Sequence, residues 1–163
     1  MKQQAIVFDI DGTLANNEHR LHFLVEETKD WEAFYKNMGH DSPIEPIRTI
    51  CGALIAMKDT ARSLGFDVKF DVIFCTTRPS NYRGVTISWL KKHIIPNELH
   101  QDIVLYMRNA GDTRPDYVVK EELLAKMRAD RCEPILVFED RKSVVDMWRK
   151  NGVQCCQVAP GDF

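Results

Sequence analysis

Runs of consecutive apolar residues alternate along this chain with amphipathic stretches, and this alternation constrains the fold more than any other feature. Continuous apolar runs are typical of strands that are covered on both faces. Their alternation with helices is typical of βαβ units and a parallel sheet. We therefore expect an α/β fold with five strands in its sheet. The five runs are Ala5–Phe8, Val72–Cys75, Ile103–Tyr106, Ile135–Phe138 and Cys155–Val158.

Four amphipathic stretches lie between these strands and are predicted to be helices. The first is bounded by Pro46 and Gly65, residue types that favour the start and the end of a helix. Asp116 is well placed to cap the third helix, and Gly152 to end the fourth. The apolar positions at helical spacing are Ile47, Ile50, Cys51, Leu54, Met57, Ala61 and Leu64, then Val85, Trp89 and Leu90, then Val119, Leu123 and Met127, then Val144, Met147 and Trp148.

The stretch from about residue 16 to residue 46 does not follow the alternation. Its apolar residues predict one or two short helices, and His40–Pro43 predicts a turn. Open α/β folds place their sites at the carboxyl ends of the strands, so an insertion directly after the first strand is expected to be a lid over such a site. The length of 163 residues predicts one domain, 1–163, that includes this lid.

Composition and charge exclude several classes of protein. No apolar run approaches the ~20 residues of a membrane helix, so no membrane association is expected. The net charge of −2 argues against coating of nucleic acid by bulk charge, but not against a local grip on a strand end. The start MKQQAIVFD lacks the apolar core of a secretory signal. With five cysteines in no zinc-ligand pattern, the expectation is a cytoplasmic protein with reduced thiols.

The segment Asp9-Ile-Asp-Gly-Thr13 carries the strongest chemical signal. Residues two apart on an extended segment point the same way, so Asp9 and Asp11 are expected to share one pocket. Two carboxylates held together need a cation or a proton. Magnesium is the natural neutraliser because it is hard and prefers oxygen ligands. Gly12 permits a tight turn, and Thr13 adds a hydroxyl.

This segment resembles the first motif, DxDGT, of the haloacid dehalogenase-type (HAD) phosphotransferases. Their three further motifs have counterparts here in the same order: Thr76 after the second strand, Lys120 near the start of a later helix, and the acidic pair Glu139-Asp140 after a further strand. The resemblance implies a Rossmann-like three-layer sandwich. Right-handed crossovers, with the site at the ends of strands one, two and four, predict the strand order 5-4-1-2-3.

The resemblance also implies a reaction, the hydrolysis of phosphate monoesters with Mg²⁺ as cofactor. Asp9 would be the nucleophile, Asp11 the general acid and then base, and Lys120 the group that neutralises charge. The implied metal ligands are Asp9, the main-chain carbonyl of Asp11, and Asp140, with Glu139 beside them. The implied substrate-binding residues are Thr76, Arg78, Arg20 and Asp116.

A more specific resemblance, over nearly the whole chain, is to the 3′-phosphatase domain of phage-type polynucleotide kinase–phosphatases. Two positions depart from that pattern: Glu139 stands where aspartate is usual, and Thr77 where a small residue is usual. The resemblance implies removal of 3′-phosphates from nucleic-acid ends or nucleotides. The matching segments are Asp30–Phe34, Thr77–Pro79, Met107–Arg108, Gly111–Asp116 and Val145–Arg149 with the ending Gln157–Phe163.

Two alternatives remain open from the sequence. One is a HAD-type nucleotidase acting on mononucleotides, which a closed aromatic-lined pocket would favour over an open basic groove. The other is a non-catalytic domain that binds nucleic-acid ends. The chain contains no GxxxxGK[ST] P-loop and thus no kinase half, so it is expected to be a stand-alone phosphatase or one domain of a longer protein. A separate kinase or ligase is an expected partner, in the host cytoplasm if the gene belongs to a phage.

Overall fold

A parallel sheet of five strands forms the centre of the molecule in this computed structural model, which describes residues 3–25, 29–95 and 102–160. In chain order the elements are β1 (Gln3–Phe8), β2 (Ala15–Asn16), α1 (Trp31–Lys36), β3 (Ser42–Pro43), α2 (Glu45–Ser63), β4 (Phe70–Pro79), α3 (Arg83–His93), β5 (Leu105–Arg108), α4 (Asp116–Ala129), β6 (Cys132–Glu139), α5 (Lys142–Lys150) and β7 (Gln154–Gln157). Short 3₁₀ helices cover Glu18–Leu24, Asn37–His40 and Ser80–Tyr82.

The order of the strands across the sheet is β5-β4-β1-β6-β7, and every adjacent pair is parallel. Numbered by the sheet strands alone, this is 3-2-1-4-5, the predicted order 5-4-1-2-3 seen from the other edge. The prediction is therefore confirmed. The central strands are β4, β1 and β6, so the residues that follow them meet in the middle of one edge of the sheet.

Both faces of the sheet are covered, which explains why its strands are continuously apolar. Alternate residues of β1 point to opposite sides: Ala5 and Val7 pack towards α4 and α5, while Ile6 and Phe8 pack towards α2 and α3. Trp148 fills the first layer and Trp89 the second. The expected burial of the thiols in the apolar runs is confirmed for Cys51, Cys75 and Cys155.

Several predicted strand boundaries differ from the structure: β4 runs from Phe70 to Pro79, so that Thr76 lies within it and not after it. Two further differences have a clear physical reason. Strand β5 begins two residues after the apolar run at Ile103, because it pairs with β4 in the register Phe74↔Leu105 and Thr76↔Met107. It ends on Arg108, which is buried although it is charged, because its guanidinium forms hydrogen bonds within the protein. An apolar run in the sequence does not predict a strand that ends on a charged residue. Asp116 does not cap α4, because Pro115 occupies the cap position and Asp116 is the first helical residue.

The insertion after β1 is closed at its base by an antiparallel pair. Ala15 of β2 pairs with Pro43 of β3, and Asn16 pairs with Ser42. Half of the predicted His40–Pro43 turn is therefore strand, because these residues complete this pair. The predicted short helices are present as the 3₁₀ helix Glu18–Leu24 and as α1. Within the ranges given above, no helix has both the length and the apolar character that crossing a membrane requires.

Candidate active site

The DxDGT segment turns sharply at the carboxyl end of β1. The amide of Asp9 donates to the carbonyl of Phe138 on β6 (3.1 Å), and the amides of Leu14 and Ala15 both return to the carbonyl of Ile10 (2.9 and 2.7 Å). Gly12 has φ +83°, in the left-handed region, and a Cβ built on it would overlap the carboxylate of Asp140. Glycine is therefore required here both by the backbone conformation and by the close approach of Asp140.

An acidic cluster with one lysine lies beside this turn. Carboxylate oxygens of Asp9, Glu139 and Asp140 lie within 4.8 Å of one another, and all three residues are buried. The Nζ of Lys120, on α4, lies 2.5 Å from Oδ1 of Asp9 and 2.5 Å from Oε2 of Glu139. Three carboxylates against one ammonium leave two negative charges in excess. Burial, then repulsion by Glu139, raises the pKa of Asp9 to about 7, and burial likewise raises the pKa of Glu139 to about 7.

The donor set of this cluster fits a hard divalent cation. Carboxylate oxygens are the ligands that Mg²⁺ prefers, and its two positive charges equal the excess negative charge. Asp140 is held in place from two sides: Thr13 Oγ1 lies 3.5 Å from its Oδ1, and Gln157 Nε2 donates to its main-chain carbonyl (3.0 Å).

Glu139 uses both of its carboxylate oxygens within the protein. Its Oε2 accepts from Lys120, and its Oε1 accepts the amides of Asp140 and Arg141, each at 3.2 Å. The extra methylene relative to aspartate lets the side chain fold back over the turn that leads into α5. Glu139 therefore positions Lys120 and shapes the turn that carries Asp140.

Two buried arginines hold the second aspartate of the motif. Arg78 Nε and Nη2 donate to Asp11 at 2.9 and 2.6 Å, and Arg20 Nη2 donates to the same carboxylate. Burial alone would raise the pKa of Asp11, but Arg78 and then Arg20 outweigh it and lower that pKa to about 2. The two carboxylates of the motif thus have different partners, and that of Asp11 lies outside the acidic cluster.

A second aspartate, Asp41, completes this charged group and was not predicted. Its Oδ2 accepts from Nη2 of Arg20 and from Nη2 of Arg78, both at 2.8 Å. His19 lies 2.9 Å from its Oδ1, and the indole of Trp89 donates to its main-chain carbonyl (2.7 Å). Charge balance is the signal that could have found it, because two arginines buried beside one carboxylate call for a second acid.

Arg78 retains hydrogen-bonding capacity towards a ligand. Its side chain is fully buried, and among the described residues its Nη1 has no hydrogen-bond partner. Thr76, also buried, accepts the amide of Arg78 with its hydroxyl (3.2 Å). A buried donor without a partner is costly, and a phosphate oxygen would satisfy it.

Asp116 lies in a separate ion-pair group at the border of the site. Arg108 Nη2 and Arg141 Nη1 approach its carboxylate to 2.5 and 2.7 Å. Arg108 also donates to the carbonyls of Thr77, Asp112 and Arg114 (2.9, 3.0 and 2.7 Å). The predicted site residues thus fall into three groups. The first is Asp9, Lys120, Glu139 and Asp140, and the second is Asp11, Arg20, Arg78 and Thr76. The third is Asp116, which is paired with Arg108 and Arg141.

The sheet order, together with acids after β1 and β6, a hydroxyl on β4 and a buried lysine on α4, defines the class of haloacid dehalogenase-type phosphatases. Comparison with known families agrees and narrows the class. The chain belongs to the family described as the polynucleotide kinase PNKP phosphatase domain, whose model matches residues 3–163. It is thus a phosphatase by family, which argues against the alternative of a non-catalytic end-binding domain.

Solved structures share this fold. A chain of a Pnkp1/Rnl/Hen1 complex is 26% identical, with a TM-score of 0.70, and the match covers 99% of this chain and 48% of that one. The present chain therefore spans about half the length of that relative. Two more distant likenesses concern the fold alone: the class C acid phosphatase from Bacillus anthracis (15% identity, TM-score 0.57, 99% and 70% covered) and the haloacid dehalogenase-like hydrolase SP0104 from Streptococcus pneumoniae (13%, 0.57, 93% and 82%).

Proposed function

We propose that this phosphatase removes 3′-phosphates from polynucleotide ends, with Mg²⁺ as cofactor and Asp9 as nucleophile. The observation that carries the proposal is the position of the Asp9 carboxylate. One of its oxygens is fixed by Lys120, and the carboxylate belongs to a buried acidic cluster whose donors suit a divalent cation. The turn that carries it also carries Asp11, which is bound to two buried arginines.

In the first chemical step, an oxygen of Asp9 attacks phosphorus in line. A bond between phosphorus and Asp9 forms, and the bond between phosphorus and the 3′-oxygen breaks. Asp11, which takes up a proton from solvent when substrate binds, gives that proton to the departing 3′-oxygen. In the second step, Asp11 takes a proton from a water that attacks the aspartyl-phosphate, so that inorganic phosphate leaves and Asp9 is regenerated.

Asp11 cannot donate a proton while both arginines bind it, because they hold its pKa at about 2. An entering phosphate dianion competes for the same guanidiniums, beginning with the unpartnered Nη1 of Arg78. As their hydrogen bonds move to the phosphate, the pKa of Asp11 rises towards the value that burial favours. Substrate binding thereby prepares the general acid.

The remaining residues neutralise the negative charge of the reacting groups and hold the side chains that bind the phosphate in position. Lys120 stabilises negative charge on Asp9 and on the phosphate oxygens, and Glu139 holds Lys120 in place. Thr76 orients Arg78 through the amide of that residue. Held by Asp9, Asp140 and the main-chain carbonyl of Asp11, Mg²⁺ would supply Lewis-acid polarisation of the phosphate. Asp116 would border the leaving group from the third charged group.

Two findings support a polynucleotide as substrate. The family is described as a phosphatase domain of polynucleotide kinase. The relative that is 26% identical belongs to a Pnkp1/Rnl/Hen1 assembly, described in a second structure as an RNA repair complex. We propose by analogy that a kinase or ligase acts with this phosphatase, and that the setting is the cytoplasm.

The test compares phosphate release from four matched substrates: one oligonucleotide sequence with a 3′- or a 5′-phosphate, and the corresponding 3′- and 5′-mononucleotides. With Mg²⁺ the proposal predicts the fastest release from the 3′-phosphorylated oligonucleotide, and EDTA should abolish it until Mg²⁺ is restored. Faster release from 5′-mononucleotides would establish the nucleotidase alternative instead. The Asp9→Asn protein is the control for contaminating phosphatase.

A further inference from the structure

Three aromatic side chains form a continuous row beside the site, here called the aromatic row: Trp31, Tyr35 and Tyr82. The rings of Trp31 and Tyr35 are stacked, with centroids 5.9 Å apart and planes at 26°. Tyr35 and Tyr82 follow at 5.3 Å and 34°. Trp31 and Tyr35 lie one helical turn apart on α1 of the lid, whereas Tyr82 belongs to the 3₁₀ helix after β4. The row therefore joins the lid to the strand that carries Thr76 and Arg78.

The middle of the row, at Tyr35, lies near the charged groups of the site. Tyr82 comes four residues after Arg78 in the sequence. Burial raises the pKa of Tyr35, and the charges of Arg108, Asp116, Asp11 and Arg20 make smaller contributions of both signs to this shift. The ring of Phe34 packs edge-on against Tyr35. The guanidinium carbon of Arg20 lies over the same Phe34 ring, 4.1 Å from its centroid. A ligand bound to these arginines would thus lie next to the row.

The outer end of the row is open to solvent. Trp31 is 48% exposed, whereas Phe34, which anchors the same helix, is 6% exposed. Trp31 contacts Phe34 only edge to face, at 5.9 Å and 83°. Packing of α1 is therefore supplied by Phe34, and Trp31 as a residue is about half exposed and accessible to a ligand. A large exposed aromatic beside a phosphate-binding group is the arrangement that single-stranded nucleic-acid sites use for base stacking.

We propose that the aromatic row binds one of the last two nucleobases of a single strand whose terminal phosphate is at Asp9, and that Trp31 is the residue on which this base stacks. The inference rests on the proposed function. It concerns the nucleobase, the part of the substrate that the phosphate-binding residues do not contact. Stacking requires no base-specific hydrogen bond, so it gives affinity without sequence preference. With a net charge of −2, the protein gains little affinity for nucleic acid from its overall charge. Stacking of a base on Trp31 would supply additional binding free energy.

The experiment measures binding separately from turnover, in the Asp9→Asn protein. Its ligands are a 3′-phosphorylated oligonucleotide and the same strand with the last two nucleotides abasic, each followed by anisotropy of a label at the 5′ end. Trp31→Leu keeps an apolar side chain and removes the stacking surface, whereas Trp31→Phe keeps an aromatic ring. Phe66→Ala is the matched control, because Phe66 is 67% exposed and precedes β4, at the opposite edge of the sheet.

Trp31→Leu is expected to weaken binding of the base-bearing strand by about 5- to 100-fold. Binding of the abasic strand should be nearly unchanged, Trp31→Phe should lose less than Trp31→Leu, and Phe66→Ala should change neither. Equal binding of the base-bearing strand by the parent and Trp31→Leu would overturn the inference. So would an equal loss for both strands, which would indicate a packing role for Trp31.

The outcome for the proposed function is read from a different assay, turnover by the protein that retains Asp9. Failure to release 3′-phosphate with Mg²⁺ would refute the proposed function, even if the base-dependent binding is found. Release of 3′-phosphate at equal rates by wild type and Trp31→Leu, from base-bearing and abasic strands at low substrate concentration, would refute the stacking inference and leave the proposed function intact. Thermal unfolding of each variant checks that the domain as a whole remains folded.

Discussion

Arg20 and Asp41 form a doubly hydrogen-bonded ion pair in which neither side chain is exposed to solvent. Nε of the arginine lies 2.8 Å from Oδ1 of the aspartate, and Nη2 lies 2.8 Å from Oδ2. Both residues belong to the insertion after β1, yet the same aspartate also binds Arg78 at the end of β4. This pair therefore couples folding of the lid to the position of the two guanidiniums that face Asp11.

We expect Asp41→Asn to destabilise the protein and to lower activity together. The substitution leaves two buried guanidiniums with one carboxylate, and loss of one partner of a buried ion pair costs about 3–5 kcal/mol. Urea unfolding followed by circular dichroism measures the free energy of unfolding, and phosphate release measures activity. Asp59→Asn, at an exposed position of α2, is the matched control and should alter neither. Wild-type stability of Asp41→Asn would show that the charge of Asp41 is dispensable.

Gly12→Ala should abolish activity through a steric effect on Asp140. The added Cβ would occupy the space of that carboxylate, so Asp140 must leave the cluster. Gly65→Ala separates this effect from backbone strain, because Gly65 also has a positive φ of +81° but has nothing within 4 Å of a built Cβ. The control should lose about 1 kcal/mol of stability and keep its phosphatase rate. Comparable rates for the two variants would contradict the assignment of Asp140.

Lys120→Met should reduce kcat by about 10²–10³-fold, the usual effect of removing one group that stabilises developing charge. The lysine bridges Asp9 and Glu139, and without it the repulsion between these carboxylates is unopposed. Lys126→Met, at an exposed position of the same helix, should retain the wild-type rate. A full rate in Lys120→Met would exclude the lysine from the chemistry.

Stabilisation by Mg²⁺ should increase with pH. Burial raises the pKa of Asp9 from 3.8 to about 7 and that of Glu139 from 4.5 to about 7. Between the ordinary pKa values of these carboxyls and their raised values of about 7, the folded, metal-free protein binds more protons than the unfolded chain. The free energy of unfolding therefore falls as pH rises through this range. Mg²⁺ competes with those protons, and its effect on Tm should be larger at about pH 8 than at about pH 5. An equal increase at both values would argue against binding at this cluster.

The sequence was most informative where chemistry and topology restrict the same residues. Asp9 and Asp140 directly follow β1 and β6, and Thr76 lies in the last part of β4. These residues could be placed at one edge of the sheet because the parallel order of the strands leaves few alternatives. Asp41 was not predicted, because the charge balance that points to it requires Arg20 and Arg78 to be buried, and their burial depends on how the insertion folds over the sheet. The sequence also did not predict that the carboxylates of Asp9 and Asp11 have different partners, because this depends on Arg20 and Arg78 being buried beside Asp11. Asp116 was expected to cap α4, but Pro115 fixes the backbone one residue earlier.

In the proposed mechanism Asp9 accepts the phosphoryl group, and both chemical steps depend on it. The direct measurement is acid quenching of the enzyme during turnover of a 3′-phosphorylated oligonucleotide with Mg²⁺, followed by mass spectrometry of the peptide that contains residues 3–14. We expect one added phosphoryl group on Asp9, its absence in Asp9→Asn, and no turnover by that variant. A phosphoryl group on another residue, or turnover by Asp9→Asn at the wild-type rate, would contradict Asp9 as the nucleophile.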